Sequence, residues 1–280
     1  MRNYKLSISE MEESLAAIEA IVRRAATIIL EASDQAERTR TKSSVLDLVT
    51  VYDVRVQQFL EEQLRALLPK AGFLGEEEGM SDIEGKPYYF IVDPIDGTSN
   101  FVANYRHSGI SVALVHPDEQ GRVEPIVAAV YNPYLDEMFT AVIGQGARLN
   151  GEAIAPTQDN LRNSLVLFGT SPYRRELAEG TFALIKELYF LSRDLRRGGA
   201  AVIDISYIAC GRGALFFEME LSPWDYAAAA LIVTEAGAVI TDLAGKPLTF
   251  TEKSGVVAGP AEHHSTCIQL LADLGLADSL

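Results

Sequence analysis

Tyr88-Tyr89-Phe90-Ile91-Val92-Asp93-Pro94-Ile95-Asp96-Gly97-Thr98 decides how this chain is read. The first five residues are an aromatic and β-branched run, which predicts a buried strand ending on the carboxylate of Asp93. Asp96 follows three residues later. A strand end stiffened by Pro94 aims both acids at one point, and Gly97 lets the backbone come close to a ligand. Hard divalent cations take oxygen ligands, and Mg²⁺ is commonly held by one or two carboxylates together with substrate phosphate. A helix starting near Gly97 would turn its free N–H groups toward an anion. The competing reading is a strand followed by an acidic turn, since Asp, Pro and Gly are common turn residues.

Further acids shift the balance. Phe73-Leu74-Gly75 runs into Glu76-Glu77-Glu78, and Asp53 closes Asp47-Leu48-Val49-Thr50-Val51-Tyr52. Pro223-Trp224-Asp225 sets a single acid at the head of an apolar helical stretch, Tyr226 to Ala236. Each acidic segment lies at the edge of an element predicted to be buried. Gathering such carboxylates is unfavourable unless cations offset their repulsion.

In order and approximate spacing, these segments resemble the inositol monophosphatase family of metal-dependent sugar phosphatases. The matching pieces are Lys42-Ser43-Ser44 with Asp47-Leu48-Val49-Thr50 and Asp53, then Gly75-Glu76-Glu77, then Asp93 through Phe101. Gly199-Ala200-Ala201 and Trp224-Asp225 complete the set, and the resemblance covers nearly the whole chain. Each motif is weak alone; the Asp93-to-Phe101 stretch joined to a downstream Trp-Asp is specific.

The resemblance implies a layered α-β-α-β-α sandwich, mixing α+β and α/β character, and a homodimer. It implies two or three Mg²⁺ ions per site and lithium inhibition. Glu76, Asp93 and the carbonyl of Ile95 would hold one ion; Asp93, Asp96 and Asp225 would hold a second. Thr98, hydrogen-bonded to Asp53, would orient or deprotonate the attacking water, making Asp53, Glu76 and Thr98 the catalytic group. Attack would be direct, with no phospho-enzyme. Asp96, the N–H groups of Gly97 and Thr98, Gly199, Ala200, Ala201, Glu218 and Asp225 would face the substrate, a small phosphorylated polyol or sugar such as inositol 1-phosphate. Lys42 would stand near the site and offset carboxylate charge.

Simpler roles compete at each position. Asp53 and Asp225 also read as helix N-caps, Thr98 as a cap alone, Glu218 as a strand-end surface acid and Lys42 as a surface lysine. Glu77 or Glu78 competes with Glu76 as the ligand. Ala200 departs from the family pattern, which often carries Ser or Thr there, and this weakens the case for inositol. Fructose bisphosphate, histidinol phosphate and phosphoadenosine phosphatases share the metal motifs, so those motifs leave the substrate open. Some family members act partly by binding transcription machinery, which provides a non-enzymatic alternative.

The 280 residues suffice for one large domain or two packed subdomains, and 48% apolar content fits a globular chain. A formal net charge of −15, with no long Lys or Arg block, argues against nucleic acid or anionic membrane as partner. Cys210 and Cys267 lack metal-ligand spacing and suit a reducing cytoplasm. No signal peptide is evident at the N-terminus, and no segment is apolar for long enough to span a bilayer.

Along the chain, Ser9 and Glu12 predict a capping box for a first helix carrying the stripe Leu15, Ile18, Val22, Ala25 and Ile29. Glu37 to Ser44 reads as a basic exposed loop, and Asp53 as preceding a second helix with Val56, Leu60, Leu64 and Leu67 on one face. Strand signals dominate from Tyr88 to Ala155, with Asn150-Gly151 as a hairpin turn. Helices and strands alternate after Pro156. The expected division is an α+β subdomain over residues 1–150, carrying most metal and phosphate ligands, and an α/β subdomain over 151–280 that completes the site.

Overall fold

A computed structural model describes residues 6–33, 40–41, 48–49, 51–77 and 81–277. Lys42, Ser43, Ser44, Asp47 and Thr50 from the matched motifs, and Glu78, lie outside the described residues.

Two helices form the first layer. Helix α1 (Ile8–Ser33) buries Ile18, Val22, Ala25 and Ile29 of the predicted stripe, together with Met11, and leaves Leu15 half-buried against the same core. Its capping box forms two residues earlier than predicted: Ser7 N donates to Glu10 Oε2 at 2.8 Å, and Glu10 N donates to Ser7 Oγ at 3.3 Å. Both Ser-x-x-Glu pairs fit the motif, but the helix begins at Ile8, which leaves Ser9 inside its first turn with its hydroxyl 3.4 Å from Glu13 Oε1. Helix α2 (Val51–Leu67) buries Val56, Leu60 and Leu64 and ends before Pro69. It starts before Asp53, so Asp53 is a first-turn residue and not an N-cap. Within the stretch expected to be a loop, Arg40–Thr41 (β1) pairs antiparallel with Leu48–Val49 (β2).

The second layer is an eight-stranded sheet. Its strands are β3 (Gly72–Gly75), β4 (Ser81–Asp82), β5 (Tyr89–Asp96), β6 (Gly109–Pro117), β7 (Val123–Asn132), β8 (Glu137–Val142), β9 (Ala147–Leu149) and β10 (Glu152–Ala153). They lie in the order β10-β9-β8-β7-β6-β5-β3-β4, and only the β3–β5 pair is parallel. Asn150 and Gly151 join β9 to β10 with φ of 49° and 85°, the two positive angles a tight hairpin requires. Alternation splits β5 between two cores. Phe90 and Val92 pack with α1 and α2, whereas Tyr89 and Ile91 face the middle of the molecule.

That middle layer is α5 (Ala201–Ala209) and α6 (Pro223–Glu235), after the short α3 (Thr98–Val102) and α4 (Ala178–Leu191). The pair is apolar nearly all round because it is covered by sheets on both sides. The fourth layer is a mixed sheet in the order β12-β11-β13-β15-β14. Its strands are β11 (Leu165–Phe168), β12 (Asp194–Arg196), β13 (Leu215–Leu221), β14 (Val239–Thr241) and β15 (Ser254–Gly259). Strands β12, β11 and β13 are parallel. Helices α4 and α7 (Ala261–Asp273) close the outer face around Val166, Leu184, Phe217, Val257 and Cys267. The result is the α-β-α-β-α sandwich. No helix among the described residues is long and apolar enough to cross a membrane.

Candidate active site

A cleft of about 270 Å³ opens where the C-terminal ends of β5, β11, β12 and β13 meet the first residues of α3, α5 and α6. Glu76, Asp93, Ile95, Asp96, Gly97, Thr98, Gly199, Ala200, Ala201, Glu218 and Asp225 all line it. Asp53 reaches it through Thr98, and Lys42 lies outside the described residues.

The two strand-end acids share a side because of a bulge. Side chains three apart on a regular strand point to opposite faces. Asp93 pairs with Ser111 and Asp96 with Gly109, so β5 spends three residues where β6 spends two. The extra residue turns both carboxylates into the cleft. Asp93 Oδ1 accepts from Ile95 N at 3.0 Å, and Asp96 Oδ2 accepts from Val202 N at 2.8 Å across to α5. Asp225 arrives from the other half. It is the third residue of α6, and its Oδ2 accepts from Ser222 N at 2.7 Å. Ser222, not Asp225, is therefore the N-cap. One carboxylate oxygen from each of Asp93, Asp96 and Asp225 lies within 4.8 Å of the others.

Glu76 joins them from the turn after β3, where its N–H donates to the Val92 carbonyl at 3.2 Å. Buried Gln57 of α2 fixes that turn: its Oε1 accepts from Glu77 N at 3.0 Å, and its Nε2 donates to Glu77 O at 3.2 Å. Of the three glutamates, Glu76 lines the cleft, Glu77 is not among the lining residues, and Glu78 lies outside the described residues.

Such crowding shows in the proton affinities. Burial, then the neighbouring carboxylates, raise Asp93 and Asp96 well above the ordinary carboxylate range. Glu76, though exposed to the open cleft, is pushed up to about 8 by desolvation among the surrounding groups and by the charges of Asp225 and Asp53. Burial raises Asp225 to about 6, opposed by the Ser222 N–H and by Lys253. Without a cation, this group holds protons it would ordinarily shed.

Gly97 is the N-cap of α3, with φ of 81°. A Cβ there would come within 3.1 Å of Ala200 Cβ and of the carbonyl oxygens of Gly199 and His107. Only glycine fits both the angle and the space. Thr98 follows as the first helical residue; its Oγ1 lies 3.4 Å from Asp53 Oδ1 and 3.2 Å from the Ile95 carbonyl oxygen, so one proton serves two acceptors. Asn100 ties this segment to the other half by donating to His107 O at 2.7 Å and to Gly198 O at 2.9 Å.

On the opposite wall, Gly199 N donates to Asp204 Oδ2 at 3.2 Å, and His107 Nε2 sits 3.2 Å from Asp204 Oδ1. Glu218 is 7% exposed, and its Oε1 accepts from Ser171 N at 2.7 Å. Burial raises its pKa to about 7 despite that bond and the nearby Arg197. Gly169 makes room for it, since a Cβ there would fall 1.8 Å from Glu218 Oε2. Glu218 is thus a buried cleft residue and not a surface acid.

Sequence reading missed Ser171, Arg174, Arg197, Asp204, Glu220, Ser222 and Lys253, all of which line the cleft. Arg197, Asp204, Glu220 and Ser222 each lie close to a residue already singled out, which was a usable signal. Nothing in the sequence distinguishes Ser171, Arg174 or Lys253, which the small sheet's loops bring in from afar.

Comparison with known proteins decides the family. The inositol monophosphatase family profile matches residues 10–276. The chain belongs to the inositol monophosphatase family. Inositol monophosphatase 2 of Solanum lycopersicum is 35% identical over 252 residues, covering 87% of this chain and 92% of that protein. Nus factor SuhB of Escherichia coli K12 is 34% identical over 216 residues, covering 77% and 78%. The crystal structure of the extragenic suppressor protein suhB from Bartonella henselae superposes with a TM-score of 0.84 at 27% identity, covering 91% and 97%. The inositol monophosphatase profile thus spans both sheets and both walls of the cleft.

Proposed function

We propose that this protein is a Mg²⁺-dependent phosphatase hydrolysing a small phosphate monoester, inositol 1-phosphate or a related polyol or sugar phosphate. The observation that carries this is the meeting of Asp93, Asp96 and Asp225 within 4.8 Å beside the half-buried backbone turn at Gly97 that lines the cleft. The donors are all oxygen and the carboxylates are crowded, which fits a hard divalent cation. Glu76, Asp93 and the Ile95 carbonyl would hold one ion, and Asp93, Asp96 and Asp225 another; two or three per site is the family expectation. Bound there, Mg²⁺ supplies Lewis-acid activation of water and offsets charge on the leaving oxygen.

The chain's own residues do the rest. Thr98, with Asp53 behind it, orients the attacking water and accepts or relays its proton. The N–H groups of Gly97 and Thr98 hold the phosphate. A water oxygen bonds to phosphorus, the ester P–O bond breaks, and the alcohol oxygen takes up a proton. Gly199, Ala200, Ala201 and Glu218 face the alcohol. On this reading residues 1–150 supply the metal and phosphate side, Asp225 excepted, and residues 151–280 the alcohol side. A cytoplasmic homodimer inhibited by lithium is the matching family expectation.

The name of the tomato relative supports inositol phosphate as substrate. The bacterial relatives named Nus factor SuhB favour a second reading, a binding protein of the transcription machinery. The complete set of acids in the cleft supports the enzyme, and the net charge of −15 weighs against direct nucleic acid binding. A panel of inositol, sugar, histidinol and nucleotide phosphates, assayed for phosphate release with Mg²⁺ and with excess chelator, tests the proposal. Mg²⁺-dependent release supports it; no release from any member favours the binding protein.

A further inference from the structure

Asp204 stands in the first turn of α5, lines the cleft and is 2% exposed, yet no step of the proposed hydrolysis uses it. A buried carboxylate is costly unless its oxygens are bonded. Both are: Oδ2 accepts from Gly199 N at 3.2 Å, and Oδ1 lies 3.2 Å from His107 Nε2. A carboxylate only accepts, so the His107 ring turns an Nε2–H toward it. Gly198 packs directly on the acid, since a Cβ there would fall 2.1 Å from Oδ1. The His107 ring is backed by Tyr207 of α5, with ring centroids 6.1 Å apart. Tyr207 in turn lies under Arg212, whose Nη1 donates to Glu137 Oε2 at 2.7 Å.

Asp204 therefore grips the Gly198-Gly199 loop directly and the segment at His107 through its ring. That segment is tied to the phosphate side. Ser108 Oγ donates to Gly97 O at 3.1 Å, and Asn100 Nδ2 donates to both His107 O and Gly198 O. The Gly97 turn and the Gly199 loop face each other closely, because a Cβ at residue 97 would come within 3.1 Å of Gly199 O. A phosphate ester bound between them would span both. Removing the Asp204 side chain frees the Gly199 N–H, whereas the Gly97 turn keeps its bonds to Ser108 and Asn100. The alcohol wall is the one that would shift, and a small misplacement of a leaving group costs rate.

Resting on the phosphatase reading above, we propose that Asp204 is a positioning residue: by holding the Gly199 loop and the His107 ring together, it sets the alcohol wall where a polyol leaving group is aligned for in-line attack. It touches no reacting atom, and it acts as a hydrogen-bond acceptor. Asparagine can reproduce both bonds, with its oxygen toward Gly199 N and its amide toward His107 Nε2 in the other tautomer.

The test measures kcat and KM with Mg²⁺ on inositol 1-phosphate, fructose 1-phosphate and an aryl phosphate that has no hydroxyl to align. Asp204→Ala should lower kcat/KM on the polyol and sugar esters by about ten- to a hundredfold, mostly through kcat. Its aryl phosphate hydrolysis and its inhibition by inorganic phosphate should change by less than about threefold. Asp204→Asn should stay within about threefold of wild type on every substrate. His107→Phe keeps a ring against Tyr207 but loses the donor, and should lose about three- to tenfold on the polyol and sugar esters alone. The asparagine and phenylalanine variants carry the test if the alanine protein does not fold. Equal losses on aryl and polyol esters would mean a structural role only and overturn the inference. An asparagine variant as impaired as alanine would mean that the acid acts through its charge, which bears on Asp96, and would overturn it too. So would a His107→Phe protein equal to wild type, or a wild type active on the aryl ester alone; in each case Mg²⁺-dependent hydrolysis stands. No hydrolysis of any of the three substrates overturns both.

Discussion

Glu218→Gln separates the charge of a buried side chain from its shape. Glutamine keeps an oxygen for the Ser171 N–H and fits the space beneath Gly169, but it cannot ionise. In the folded protein the Glu218 carboxyl is raised from 4.5 to about 7, chiefly by burial. The folded state therefore binds its proton more tightly than the unfolded chain does. The stability this lends is fully present below pH 4.5 and is lost as pH rises through 7. At 1.36 kcal/mol per tenfold change in proton affinity, the loss is about 1 kcal/mol at pH 5 and about 3 kcal/mol at pH 8. Relative to wild type, the glutamine variant should gain about 2 kcal/mol on going from pH 5 to pH 8. Urea unfolding of both proteins in excess chelator reads this, with burial the largest cause of the Glu218 shift and its coupling to Asp225 and Asp204 a smaller one. A stability difference that stays constant between the two pH values, or that shrinks as pH rises, would refute the burial argument. The same variant should lose about tenfold in kcat/KM on a polyol phosphate, and much less on an aryl phosphate that has no hydroxyl for Glu218 to accept.

Thr98→Ala removes the hydroxyl near Asp53 but keeps the backbone N–H, so kcat should fall by about 10²–10⁴-fold while Mg²⁺ still binds. Isothermal titration with Mg²⁺ and turnover rates check this; a loss confined to KM would leave Thr98 as a helix residue only. Gly97→Ala puts a side chain at φ of 81° and against two carbonyl oxygens, so it should cost at least about 1–2 kcal/mol of stability and weaken inhibition by inorganic phosphate. Urea unfolding and phosphate inhibition constants equal to those of wild type would contradict the tight turn described here.

Much of the fold was legible because the apolar pattern changes period along the chain. Four of the five stripe residues of α1 are buried and Leu15 is half-buried, and the apolar run Tyr89–Val92 is a strand buried on both faces. Helix starts were less legible. Ser7 and Ser9 both carry a glutamate three residues on, and local sequence has no means of choosing between them. Asp53 looked like a cap because hydrophobic periodicity is clear only after it, yet α2 begins at Val51. At the site, the acids Asp93 and Asp96 were visible, but the bulge that turns them the same way depends on pairing with β6. Arg174 and Lys253 were not visible at all, because what brings them together is the crossing of loops over the small sheet. Short range governs the strand and its acids; long range governs the wall that faces the alcohol.

The central claim is that crowded carboxylates at one cleft bind Mg²⁺ and that hydrolysis depends on it. The direct measurement is phosphate release from inositol 1-phosphate and an aryl phosphate by protein stripped with chelator and then titrated with Mg²⁺, alongside Asp93→Asn. The account predicts no release in excess chelator, recovery as Mg²⁺ is added, and no comparable recovery in the variant, whose asparagine gives up the charge shared between both ion positions. Full turnover in excess chelator, or an Asp93→Asn protein as active as wild type, would contradict it.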